Sequence, residues 1–108
     1  MTSPTQLTLK KLRDDGYLAE VVEKYVRTGK GGFRKDLFNI LDVVGLRGTE
    51  TLGVQCTSRA HVRNRVNKIE HEDHAVALAA LREAGWTIQV LGWDKKDGHW
   101  RCKTVDCS

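Results

Sequence analysis

No stretch of this 108-residue chain approaches the roughly 18 consecutive apolar residues that a membrane-spanning helix needs. The opening Met1-Thr2-Ser3-Pro4-Thr5-Gln6 lacks the basic start and apolar core of a signal peptide, so an intracellular, cytoplasmic protein is expected. Internal repeats and low-complexity tracts are also missing, which argues against solenoids and linkers. Cysteine is scarce and odd in number. Cys56 falls in an apolar run, so a disulfide framework is not expected. Cys102 and Cys107, with His99 nearby, match no compact zinc module.

What is present is a modest surplus of positive charge. Eighteen Lys and Arg stand against 14 Asp and Glu, a formal net charge of +4. That permits a nucleic-acid partner without requiring one. The length suits one domain with a small core.

Hydrophobic periodicity predicts a helix over 5–15, with Leu7, Leu9 and Leu12 on one side and Gly16 as its stop. A strand is predicted from Tyr17 to Val26. Arg27 to Lys35 is glycine-rich and basic with no acidic residue, and reads as a mobile loop. Phe38–Val44 and Leu52–Thr57 read as paired strands. Ser58 is a natural N-cap for a helix from Arg59 to Ile69, with Val62, Val66 and Ile69 inward. A second helix is predicted over 73–84, with Val76, Ala77, Ala80, Leu81 and Ala84 inward. Trp86–Trp93 reads as a strand, 94–98 as a turn, and His99–Val105 as a possible last strand. This order predicts an α/β fold: a mixed β-sheet flanked by helices in one domain, three strands in a meander and a fourth returning after a helical crossover.

The chemistry centres on the hairpin. A two-residue Gly48-Thr49 turn of type II′ puts glycine where positive φ is required. Arg47 and Glu50 then close the loop, and Asp42 falls opposite Gln55 on one sheet face. A carboxylate and an amide among Val, Ile and Leu are costly to bury without a partner. A divalent metal would be one. Mg²⁺ (or Mn²⁺) accepts oxygen ligands and keeps several waters. Asp42 is the expected direct ligand, Gln55 offers a carbonyl oxygen, and Glu23 is the expected second carboxylate. Glu20 is the reserve; it lies three residues from Glu23 and so on the opposite face of a strand. Asp36 lies outside this hairpin, because straight-strand counting pairs it with His61.

Around this pair lie basic segments. Arg59, Arg63, Arg65 and Lys68 occur in a helix stretch without acids, and Arg27, Lys30, Arg34 and Lys35 in the glycine-rich loop. Together they form a candidate phosphate-contact surface for DNA. His71 and His74, among Glu70, Glu72 and Asp73, read as a solvated helix junction. Trp86 and Trp93, seven apart, lie on opposite faces of one strand, so at least one belongs to the core.

The sheet order, Asp42 and the run Gln55-Cys56-Thr57 resemble the PD-(D/E)xK nuclease superfamily, in particular Holliday-junction-resolvase-like and Mrr-like members of small phage or prophage type. The resemblance implies a restriction-endonuclease-like αβββαβ core, a metal-dependent DNA endonuclease, a possible homodimer, and a bacterial host cell if the chain is phage-derived. It implies metal ligation by Asp42 and Gln55 and a catalytic lysine two positions after the latter. Thr57 stands there instead, and threonine has neither the charge nor the reach. Some members supply the lysine from the following helix, which points to Lys68, with Lys35 as second candidate. Without such a lysine, the resemblance implies a catalytically impaired nucleic-acid-binding or regulatory module.

Overall fold

Ser3 accepts a hydrogen bond from the Gln6 N–H while the Gln6 side chain accepts one from the Ser3 N–H. With Pro4 at the first helical position, this capping box starts α1 (Pro4–Asp14) one residue earlier than the apolar pattern indicates. In the computed structural model, which describes residues 2–108, the chain continues through β1 (Leu18–Val21), β2 (Lys24–Thr28), β3 (Gly31–Lys35), β4 (Val43–Arg47) and β5 (Glu50–Ser58). A 3-10 turn (Arg59–His61), α2 (Val62–Glu70), a second 3-10 turn (Glu72–His74), α3 (Ala75–Glu83), β6 (Thr87–Lys96) and β7 (His99–Asp106) complete it. Among the described residues, no helix is long and apolar enough to cross a membrane.

Five strands form one sheet in the order β1-β4-β5-β6-β7. The first three pair antiparallel, β6 returns parallel to β5 after the α2–α3 crossover, and β7 pairs antiparallel with β6. The architecture is mixed α/β, as the sequence predicts. Residues on β5 alternate. Leu52, Val54 and Cys56 face a core under α1 with Leu12, Val43 and Leu91. Gly53, Gln55 and Thr57 therefore face the α2 side, where Ile40, Leu41, Val66, Ile69 and Ile88 pack.

Four local expectations are corrected. The strand over 17–26 is two strands, broken at Val22-Glu23, because Val22 donates to the Asp42 carbonyl at 2.8 Å and the chain then leaves the sheet. The glycine-rich loop is a two-stranded ribbon, β2–β3, turning at Gly29-Lys30. It makes no substantial contact with any other helix or strand. Residues 38–42 do not extend β4. Phe38 and Asn39 have φ of 54° and 64°, and Leu37 bridges back to Leu41. On α3, Leu81 is buried as predicted, but its inward companion is Leu78, while Val76 is 87% exposed and Ala80 and Ala84 are exposed too, because a second leucine buries more apolar area than valine and alanines.

The tryptophans divide as expected: Trp86 packs on the α2–α3 core and Trp93 on the α1 core. The Trp93 indole N–H donates to Thr8 Oγ1 at 3.0 Å, and Thr8 is fully buried. Thr8→Val keeps the shape but leaves that N–H without an acceptor. It should cost about 1–3 kcal/mol in urea denaturation, and Trp93→Phe in the same background should recover part of it.

Candidate metal centre

Gly48 has φ +59°, and Thr49 is not among the positive-φ residues, as a type II′ turn requires. The turn sets the register: Arg47 opposite Glu50 and Val43 opposite Val54. One step further, the Asp42 N–H donates to the Val54 carbonyl at 2.8 Å. The Asp42 carboxylate is then opposite Gln55, as predicted. Its Oδ2 accepts from Gln55 Nε2 at 2.5 Å and from the Cys56 N–H at 2.9 Å. Both side chains are buried, at 6% and 2% exposure.

Two more carboxylates come from the root of the ribbon. Lys24 pairs with Lys35, so Glu23 and Asp36 flank the point where the ribbon joins the fold. Oxygen atoms of Glu23, Asp36 and Asp42 all lie within 4.8 Å of one another. Asp36 is thus a member of the site that straight-strand counting excludes. The reversal at Phe38-Asn39 removes the residues that the count assumed to be extended. Glu20 is exposed on β1 opposite Val44 and stands outside the group.

Of the two candidate lysines, Lys68 reaches this group. Its Nζ lies 3.1 Å from Asp36 Oδ2 and 3.2 Å from Gln55 Oε1. Lys35 is exposed on β3 and makes no ion pair among the described residues. Thr57 is buried on β5. Gln55 differs from its expected part. Its carbonyl oxygen turns to Lys68, while its amide nitrogen donates to Asp42 and, at 3.3 Å, to Asp36. It bridges the carboxylates and the ammonium group, and the third carboxylate comes from Asp36.

The electrostatics leave room for a cation. Lys68 and Arg34, the latter 3.2 Å from Glu23 Oε1, oppose three carboxylates. Burial, reinforced by the nearby Asp36, pushes the Asp42 carboxyl up to about 7, against the weaker pull of the Cys56 N–H and Gln55. An all-carboxylate oxygen set of this kind could hold a metal ion, and its chemistry suits a hard one. Burial pushes the neighbouring Cys56 thiol up to about 12, so it stays protonated and is no nucleophile.

The carboxylates open on a cleft of about 990 Å³ between the first turn of α1, the ribbon and the end of β5. Tyr25, Arg34, His61 and Arg65 stand on its walls. Of the basic residues named for phosphate contact on α2, Arg65 stands on this wall, and its Nε is buried without a hydrogen-bond partner among the described residues. Arg59 and Arg63 are not on these walls. Arg27 and Lys30 are exposed on the ribbon. His71 accepts from the Asp73 N–H, and His74 pairs with the Lys68 carbonyl at 2.7 Å, so both fasten the α2–α3 junction. Cys102 and Cys107 pack on opposite faces of the sheet. Comparison with protein-family models, with curated proteins and with solved structures returns no match for this chain.

Proposed function

We propose that this protein is a metal-dependent phosphodiesterase acting on DNA, with Glu23, Asp36 and Asp42 as the ligands of Mg²⁺ or Mn²⁺. The observation that carries the reading is the convergence of three carboxylates and the Lys68 ammonium group in one cleft. The bound cation would activate water and neutralise charge on the phosphate in the transition state. Asp42 is fixed for ligation by two hydrogen bonds from β5. Asp36 is held by Gln55 and Lys68, so its oxygens are oriented before a ligand arrives.

Lys68 takes the part that the nuclease resemblance assigns to a lysine and that Thr57 cannot fill. Its ammonium group lies beside the carboxylates, where it can offset charge on a phosphate and hold the attacking water. Arg65 and Arg34, on the cleft walls, supply phosphate contacts.

Among plasmid, branched and single-stranded DNA incubated with the protein, at least one should be cleaved with Mg²⁺ or Mn²⁺ and all left intact with EDTA. Lys68→Met should lower the cleavage rate by roughly 10²- to 10³-fold while leaving Mg²⁺ affinity within a few fold. An equal loss of both would make Lys68 a support for the carboxylates and nothing more. A rival reading, a nucleic-acid-binding module without catalysis, draws on the engagement of Lys68 by Asp36 and Gln55. Salt-sensitive DNA binding with no cleavage in either metal would favour it.

A further inference from the structure

The ribbon β2–β3 carries a surface that metal chemistry does not use. From residue 24 to 35 it holds five basic residues and no acidic one, which fits a polyanion. Its register pairs Tyr25 with Arg34 and Lys24 with Lys35. Alternation therefore puts Tyr25 and Arg34 on the same ribbon face as Glu23 and Asp36, one step further out. Both also line the cleft that holds the carboxylates.

Tyr25 is 59% exposed, yet its ring has a seat. The seat is Gly32. A Cβ there would collide with the ring Cζ and hydroxyl of Tyr25 and with the Val26 carbonyl. Glycine thus lets the ring lie against the ribbon backbone, supported on one side and open on the other. Arg65 lines the same cleft, and among the described residues it makes no ion pair and its Nε has no hydrogen-bond partner, so its guanidinium group is not already committed to a carboxylate and can take a phosphate.

We propose that the ribbon grips a single unpaired nucleic-acid strand, with one base stacked on Tyr25 and a neighbouring phosphate taken by Arg65. This rests on the phosphodiesterase reading of the carboxylates and names the form of substrate that reaches them. An aromatic ring can stack only on a base whose flat face is free. A duplex offers its base edges and phosphates but not those faces.

Fluorescence anisotropy in EDTA tests this without cleavage, using a short labelled oligodeoxynucleotide, the RNA strand of the same sequence and the matching DNA duplex. At one salt concentration, at least one of the two single strands should bind about tenfold more tightly than the duplex; which strand binds identifies the sugar. Tyr25→Ala should weaken single-strand binding about tenfold and leave duplex binding unchanged, and Tyr25→Phe should retain wild-type affinity. Unchanged thermal midpoints will confirm that both variants are folded. Equal or tighter duplex binding, no binding of either strand, or equal losses in Tyr25→Ala and Tyr25→Phe overturns the proposal. Cleavage of duplex DNA alone would overturn it while sparing the phosphodiesterase reading. Tyr25-dependent strand binding without metal-dependent cleavage would do the reverse.

Discussion

Free of divalent cation, the protein should lose stability as pH rises from about 4 to about 7, and Asp42→Asn should abolish most of that loss. The Asp42 carboxyl is raised from 3.8 to about 7, chiefly by burial and next by Asp36. Between those values the folded state binds a proton that the unfolded state has released. The Asp42 contribution to stability is therefore full below 3.8 and is lost as pH rises to about 7. If Asp42 alone titrated, the loss would be on the order of 4 kcal/mol. Asparagine cannot ionise and keeps an oxygen for the Cys56 N–H, so the variant should be the more stable protein at about pH 8 in EDTA.

Mg²⁺ should narrow that gap. At a hundredfold excess over its Kd, a ligand of the folded state returns about 2.7 kcal/mol. Wild type should gain this and the variant should not, while cleavage by the variant should fall roughly a thousandfold, matching the several kcal/mol that a cation supplies. Urea denaturation at the two ends of the pH range, with and without Mg²⁺, reads all of it. Parallel pH profiles for wild type and variant would show that burial does not raise the Asp42 carboxyl.

At Gly92 the expected effect is structural. A Cβ there would overlap Val62 Cγ2 and lie 3.0 Å from the Arg59 Cα and 3.3 Å from the Ser58 carbonyl. Two of the three obstacles are backbone atoms, which cannot swing aside. The start of α2 rests directly on β6 at this point. Gly92→Ala should cost about 2–3 kcal/mol and Gly92→Val more, as overpacking does. Gly29→Ala, with nothing within 4 Å of the added atom, should stay within about 0.5 kcal/mol of wild type. Because Lys68 is carried on α2, Gly92→Ala should also depress cleavage beyond its effect on folding, measured where both proteins remain folded. Gly92→Ala as stable as Gly29→Ala would show that the helix yields.

The sequence made the Asp42–Gln55 pairing legible because one glycine fixed a register, and a register carries its parity along the whole strand. The helices were legible for the same reason: Val62, Val66 and Ile69 follow a period that nothing interrupts. Asp36 was hidden by a chain reversal with no glycine to mark it, where Phe38 and Asn39 take up positive φ themselves. The ribbon was hidden by its own glycines, which read as disorder although Gly32 seats Tyr25. Lys68 was legible as a candidate but not as the choice, since reaching Asp36 depends on how α2 lies across β5. The bridging orientation of Gln55 is set by Lys68 and the two aspartates together, and such a three-way arrangement leaves no mark on residue spacing.

The ribbon also has a mechanical meaning. It leaves the sheet at Val22 and rejoins the fold at Leu37, and the two residues beside those exits, Glu23 and Asp36, are ligand candidates. It is a lever with its fulcrum at the carboxylate cluster. Because the arm packs substantially on no other helix or strand, tension or order imposed along it is delivered first to those two carboxylates. A grip far out on the ribbon and an ion at its root would therefore each feel the other, with no relay through the hydrophobic cores.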